Sequence, residues 1–452
     1  MRRKSVGLVA LVACSSLLAV ACGSDESSTA TTAASTETTG GSTETTEASS
    51  DVWAVNTDDC IDPAAADAPI EGTIKIGGVM PLTGETMADE AFSPVVKGWE
   101  AYFDYANENG LLGDLTIDYK IEDDQYNKDL TPNAVSTLID AGTQVFSGIL
   151  GSPNNLAVRD TLNEECIPQL GNLTGLPAWG DDVVDYPWTT GQLVDYRTES
   201  RVYMQSIKEA FPDGAKVALF YVNSDFGKSF AETVKAEGAD FGITVVEEQT
   251  IDPTDTAPPA SQLTSIAAAK PDALISVPLG TGCIGYLTTL AEKEAQDPTW
   301  KPLNYVTNTC ATALILTLAG AGADGMLTSN NLVDVLDPAN ADNENVKTYL
   351  AYAEKKGFLD VASTASAGWN TAETTVAIIK QAMESPEGLT RASIINAARN
   401  FTFTPSLGRE GVVFKMNGTA DSFLSQSLQV LRYNATSTLF EAVGDVITDF
   451  ES

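Results

Sequence analysis

Histidine is absent from all 452 residues. That excludes Ser-His-Asp and Cys-His nucleophile pairs, His-ligated zinc and imidazole acid–base chemistry. Cations are scarce: Lys and Arg total 26 against 62 Asp and Glu, a formal net charge of −36. Such a chain has too few clustered cations to displace counterions from a phosphate backbone, so nucleic acid is not an expected partner. No CxxC pair occurs among the six cysteines, which argues against thioredoxin-like redox chemistry. An enzyme would have to work through carboxylates, Lys, Tyr or a cofactor. What the chain does have is apolar material. Hydrophobic residues make up 43%, enough for one large or two medium domains.

The N-terminus reads as a secretory signal. Arg2, Arg3 and Lys4 form a basic start, and Ser5 to Ala21 is uncharged and mostly apolar. The stretch is short for a membrane span. Leu17-Leu18-Ala19-Val20-Ala21-Cys22 resembles a bacterial lipobox, whose cysteine becomes a lipidated N-terminus. Ala19 departs from the commoner Leu. Leu11-Val12-Ala13-Cys14 also fits the letters, but leaves too short an apolar core before it. Cleavage before Cys22 removes three cations and no anion, taking the charge from −36 to −39. Gly23 to Asp51 is rich in Ser, Thr and Ala and has no aromatic residue. Such a segment does not bury enough surface to offset ordering entropy and reads as a flexible tether.

Four cysteines remain beyond Cys22, an even number that suggests two disulfides in an exported chain. Cys283 follows the expected strand Ala273–Val277, and Cys310 follows Leu303–Val306. If those strands are neighbours, both thiols lie at one sheet end. The preferred pairing is therefore Cys283–Cys310, which leaves Cys60–Cys166.

The body alternates strand and helix patterns. Strands are expected at Thr73–Val79, Leu115–Ile121, Val145–Leu150, Pro168–Leu170, Lys216–Val222, Thr244–Gln249, Ala273–Val277 and Leu303–Val306. Helices are expected between them, and at Asn343–Lys356, Ala372–Met383 and Arg391–Ala398. The helix running to Phe211 is capped by Asp195 or Thr198. The tail is β-like: Gly411–Lys415, a turn at Asn417-Gly418, then Ser427–Tyr433. Two such series point to an α/β fold of two doubly wound parallel-sheet lobes. Ligands in such folds sit beyond the carboxyl ends of the strands, here in the cleft between the lobes.

Several segments, taken in order, resemble the type I periplasmic binding proteins of the branched-chain amino acid class. They are Ile76-Gly-Gly-Val-Met-Pro-Leu-Thr-Gly84, Asn107-Glu-Asn-Gly-Leu-Leu-Gly113, Glu122-Asp-Asp-Gln-Tyr126, Gly148-Ile-Leu-Gly-Ser152, Asn223-Ser-Asp-Phe-Gly227 and Gly368-Trp-Asn-Thr-Ala372. The resemblance spans roughly Gly72 to Ala442. It implies solute capture outside the cytoplasm, delivery to an ABC permease, and two lobes joined by three crossovers near Thr190–Tyr196, Leu327–Leu336 and Phe423–Val430. The expected division is a signal over 1–21, then lipidated Cys22 and a tether over 22–68. The first lobe takes 69–192 with 333–425, the second 193–332 with 426–452.

By the same resemblance Ser152, Asn172 and Thr174 hold the ligand's carboxylate. Hydroxyls and backbone N–H groups at helix N-termini can do this without a cation. Phe226 forms an apolar or stacking wall, and Gly280 and Thr281 line the cleft. The acid that pairs with an α-ammonium in amino-acid members falls at Thr309. No acid lies between Tyr305 and Gly320. An amide, a urea-like compound or an organic acid is therefore open beside an amino acid. Loop Glu85–Asp89 is a second possible source of negative charge and a cover for the ligand.

Other readings compete. Gly280-Thr-Gly-Cys-Ile-Gly285 fits a dinucleotide fingerprint after a strand, but the next strand ends in Thr307-Asn308-Thr309 and not in an acid. Glu122-Asp123-Asp124 alternate across a strand and do not converge on a metal. No cofactor, metal or catalytic residue is expected, and the chain is expected to be a monomer. A ligand-sensing receptor subunit of the same fold is the alternative to transport. A carboxylate-pair glycosidase would need two facing acids, and none can be named.

Overall fold

The computed structural model describes residues 52–84, 88–255 and 257–450. The expected signal, Cys22 and residues 23–51 lie outside them, as do Glu85 and the side chains of the loop through Asp89. The strands are β1 (Thr73–Met80), β2 (Thr116–Asp123), β3 (Val145–Ile149), β4 (Gln169–Asn172), β5 (Thr189–Gly191), β6 (Ala215–Val222), β7 (Ile243–Ile251), β8 (Ala273–Val277), β9 (Leu303–Val306), β10 (Leu327–Asn330), β11 (Asn400–Phe403), β12 (Phe414–Asn417), β13 (Leu428–Asn434) and β14 (Leu439–Ile447). The helices are α1 (Pro63–Ala66), α2 (Ala88–Glu108), α3 (Thr131–Asp140), α4 (Ser152–Glu164), α5 (Ala178–Asp181), α6 (Tyr196–Ala210), α7 (Asp225–Glu237), α8 (Ala260–Ala269), α9 (Thr281–Gln296), α10 (Ala313–Ala319), α11 (Glu344–Lys356), α12 (Ala362–Ala382) and α13 (Arg391–Arg399).

The first sheet is parallel with order β2-β1-β3-β4-β5. The second runs β14-β13-β10-β9-β8-β6-β7. Its last five strands in that order are parallel, while β13 pairs antiparallel with β10 and β14 antiparallel with β13. β3 and β8 are buried at every position. That is why both read as short continuous apolar runs: helices cover a parallel strand on both faces. The order reverses between β1 and β3 and again between β6 and β8, where strand ends splay and leave a crevice.

Helices α2 and α12 pack one face of the first sheet, around Trp99, Phe103 and Trp369. Trp99 and Trp369 are both fully buried, and Trp369 meets Tyr102 edge-on at 4.9 Å. Val135 and Leu138 of α3, with Val158 and Leu162 of α4, close the other face. The second sheet buries Phe220 against Tyr286, stacked at 4.9 Å. The chain passes between the sheets three times: from β5 to α6, from β10 towards α11, and from β12 to β13.

Several features differ from the sequence expectations. Residues 52–68, expected as part of a tether, lie against the body. Val55 N–H donates to Asn396 Oδ1, Asn400 Nδ2 donates to the Trp53 carbonyl, and Cys60 is bonded to Cys166. Helix α12 begins at Ala362, ten residues before the expected Ala372. Its first turns are Ala, Ser, Thr and Gly, whose weak apolar pattern hides the helix while their small size lets α2 approach. Helix α9 starts at Thr281, so the Gly280–Gly285 motif is a helix opening capped by Gly280 at φ +53°, where glycine is unstrained. Strand β14 was not expected; none of its positions is buried, so no inward-facing apolar alternation marks it. Both expected disulfides are present, Cys283–Cys310 at the ends of neighbouring β8 and β9. Asp195, not Thr198, caps α6.

Candidate ligand-binding site

A cavity of about 200 Å³ lies where the two sheets face each other. All three chain passages contribute to its wall: Gln192 to Val194 from the first, Asn330 to Asp334 from the second, and Leu428 beside the third. Helix α12 adds Ser363, Ser366, Ala367, Asn370 and Thr371, spaced three and four apart as one helix face requires. Helix α2 adds Phe92 and Val95, and the second lobe adds Phe226, Leu279, Asn308 and Thr309.

Two of the seven expected contact residues, Phe226 and Thr309, are in this wall. Phe226 is buried and meets Tyr196 edge-on at 4.9 Å. The other five are not. Ser152 and Thr174 are fully buried and hydrogen-bond each other at 2.7 Å. The Tyr196 hydroxyl, from the opposite lobe, donates to Thr174 Oγ1 at 3.4 Å. The two hydroxyls are thus brought together, with the Tyr196 hydroxyl from across the cleft bonded to one of them. Asn172 is completely buried, and neither atom of its side-chain amide has a partner. Gly280 and Thr281 open α9 one step behind Leu279, which takes the wall position.

Sequence reasoning missed Tyr196, Phe92, Asn370, Asp334 and Arg409. The spacing of residues 363–371 could have signalled a helix face had the helix been extended upstream. Asp334 and Arg409 sit in connections, where no periodicity marks them.

The missing acid at Thr309 has a counterpart behind the wall. Glu199 is buried, and its Oε1 accepts the Tyr203 hydroxyl at 2.6 Å and Asn308 N–H at 3.0 Å. It holds the turn that carries Asn308 and Thr309, but it is not itself part of the cavity wall. Burial pushes its carboxyl up to about 7, against hydrogen bonds that pull it down. Glu373 on α12 is likewise pushed up to about 7 by burial. A folded-state value above the ordinary one means that the folded chain binds more protons. Stability contributed by these groups is therefore full below about pH 4.5 and is lost as pH rises to about 7. The loss is at most about 3 kcal/mol per group, at 1.36 kcal/mol per unit. Urea unfolding at pH 5.5 and 8 should show lower stability at pH 8, and Glu199→Gln should shrink the difference. An equal difference in the variant would refute the assignment.

Among the described residues no group of three acids or cysteines could hold a metal ion, and no helix is long and apolar enough to cross a membrane. Two facing sheets, three passages and a cavity at their meeting define a two-lobed binding protein. The periplasmic binding protein family matches residues 73–437, and the chain belongs to it. The fold is that of the type I class. It is similar to a branched-chain amino acid ABC transporter protein from Thermus thermophilus with bound valine. That likeness has 18% identity and a TM-score of 0.71, over 83% of this chain and 96% of the other. A fatty acid ABC transporter substrate-binding protein from Thermomonospora curvata is 20% identical, with a TM-score of 0.67 over 85% and 93%. A solute-binding protein from R. palustris in complex with benzoate is 18% identical, with a TM-score of 0.67 over 84% and 99%. No curated protein matches the sequence.

Proposed function

We propose that this chain is the extracytoplasmic binding lipoprotein of an ABC uptake system. It captures a small solute in the cleft and hands it to a permease. The observation that carries this reading is the cavity, which draws its wall from both lobes and from all three passages between them. A solute touching both lobes has more contacts in the closed arrangement, and so favours it by differential affinity. The closed form is then the one a permease receives. The chain works as a monomer and binds without turnover. Its cavity suits an amino acid, an amide or a small carboxylate, and structures described with valine and with benzoate support the first and last of these.

Export is supported by the basic and apolar N-terminal pattern and by two disulfides, which persist in oxidising compartments. Cys22 is the anchor in this reading, tethering the chain to the outer face of the cytoplasmic membrane through residues 23–51. A strongly negative chain is repelled by anionic headgroups, and a lipid would offset that repulsion.

The test is a thermal-shift screen of the full chain against amino acids, their amides, urea and small aromatic and aliphatic carboxylates. A ligand at 100 times its Kd stabilises by about 2.7 kcal/mol. For a body of this size, at ~2.1 cal/mol/K per residue, that raises Tm by roughly 3 °C. A shift with one chemical class supports capture. No shift with any member would leave sensing or catalysis to be tested in its place.

A further inference from the structure

The hydrogen bonds behind the cavity wall converge on one buried pair. Glu199, in the first turn of α6, accepts Asn308 N–H on Oε1 at 3.0 Å, and the Tyr203 hydroxyl lies 2.6 Å from the same oxygen. Tyr203 is fully buried. Its hydroxyl is also 3.1 Å from the Val306 carbonyl, and Ser329 Oγ donates to it at 3.2 Å. The pair therefore reaches the end of β9, the second passage at β10 and the turn Asn308–Cys310. Asn308 and Thr309 line the cavity, as do Thr328 and Asn330 on either side of Ser329. Cys310, at the far end of the turn, is fixed to Cys283.

No counter-charge meets Glu199 among the described residues. Its neighbours are Tyr196 and Tyr203 on its own helix, and Thr307 and Asn308 beyond β9. From Tyr305 to Gly320, and along β10, the sequence has no charged residue. The charges of α6 are engaged elsewhere: Arg197 with Asp181 and Asp195, Arg201 with Glu237, Lys208 on the Asp240 carbonyl, and Glu209 with Gln205. Arg432 of β13 is exposed and acts on Tyr305.

The Tyr203 hydroxyl has one proton and two acceptors, Glu199 Oε1 and the Val306 carbonyl, so the network has two registers. With Glu199 ionised, Tyr203 donates to Oε1, and the negative charge strengthens the Asn308 N–H bond. With Glu199 protonated, the carboxyl O–H donates to the Tyr203 oxygen, and the Tyr203 proton turns to the Val306 carbonyl. One proton is taken up from water and one O–H bond forms on the carboxyl. Tyr203 stays neutral in both registers, its phenol held well above the ordinary value by burial and by Glu199. Oε1 is then a neutral, poorer acceptor, and Asn308 is held less firmly.

We propose that Glu199, acting with Tyr203, is a positioning residue whose proton sets how firmly the Asn308–Cys310 turn is held in the cavity wall. The wall is firmer with Glu199 ionised and looser with it protonated, which couples it to the pH of its compartment. The inference rests on the capture reading only for the use made of that wall.

The test needs no solute, so its failure leaves the capture reading standing. In NMR spectra of the full chain from pH 5.5 to 9, the Asn308 amide proton should move downfield as its acceptor ionises. The midpoint should lie at about 7, where burial places the Glu199 carboxyl. Exchange of the Asn308 amide with solvent, corrected for its intrinsic pH dependence, should slow by at least about threefold over the same range. Glu199→Gln keeps a donor for Tyr203 and an acceptor for Asn308, so it should fold and abolish both responses. Tyr203→Phe removes a donor to the carboxylate and should raise the midpoint by roughly one pH unit. Glu373→Gln, which removes the other acid raised to about 7, should change neither.

Melting curves show which variants fold, and if Glu199→Gln does not, the Tyr203→Phe midpoint decides. An Asn308 amide that does not titrate would overturn the proposal, as would a titration that survives Glu199→Gln or disappears in Glu373→Gln. Titration without slower exchange would also overturn it, because the proton would then reach the turn without holding it.

Discussion

Gly368→Ala should cost at least about 4 kcal/mol or prevent the chain from accumulating in folded form, and Gly98→Ala should do the same. A Cβ on Gly368 would fall on the Val95 carbonyl, with Trp99 N only 2.8 Å away. A Cβ on Gly98 would fall on the Ala365 carbonyl, with Trp369 N at 2.9 Å. Both obstacles are backbone, so no side chain can rotate aside. Helices α2 and α12 would have to separate, opening the packing around Trp99 and Trp369. Overpacking ordinarily costs ~1–3 kcal/mol, where flexible neighbours yield; here the obstruction is rigid on both sides. Gly285→Ala in α9 is the control. Its Cβ would meet only Pro258 and Pro259, at 3.4 Å and beyond, so the gain in helix propensity of about 0.5–1 kcal/mol should be retained. Soluble yield and urea midpoints compare the three. Wild-type-like stability in either Gly98→Ala or Gly368→Ala would mean that the helices do not approach as closely as described.

Replacing both Cys60 and Cys166 by Ala should lower stability by about 4–5 kcal/mol. The bond links residues 106 apart, and a loop of that order carries a large closure entropy in the unfolded chain. At ~2.1 cal/mol/K per residue the fall in Tm is roughly 5–6 °C. The second bond, Cys283–Cys310, spans 27 residues and should be worth less, roughly 3–4 kcal/mol. Its removal should instead show in binding, because Cys310 ends the turn that carries Asn308 and Thr309 into the cavity wall. Calorimetry of the two double variants separates these effects. A smaller loss for Cys60–Cys166 than for Cys283–Cys310 would contradict the loop-length argument.

Most of the fold was legible in the chain because its central strands, such as β3, β4 and β8, are buried on both faces. Ala273–Val277 and Leu303–Val306 appear in the structure with the bounds their apolar runs suggest. On the condition that the two were neighbours, which they are, Cys283 was expected beside Cys310. Helices whose apolar residues sit at regular spacing were found within a few residues. The start of α12 was not, because a helix packed through Gly and Ala has little hydrophobic signal to show. Residues 52–68 look like tether by composition. They are held by Cys166, Asn396 and Asn400, partners more than 100 residues away.

The site divides in the same way. The absence of histidine, the acidic balance and the ordered segments from Ile76 to Ala372 determined the class of protein and the cleft as the place to look. They could also place Ser152 near Thr174, since both end strands of one sheet. Only the tertiary structure decided that Tyr196, from the far lobe, bonds to one of that pair. Only it brought Asp334 and Arg409 into one wall with Asn370. Strand and helix periodicity is written into neighbouring residues, whereas a cavity wall is assembled from connections distant along the chain, whose meeting depends on how the lobes pack.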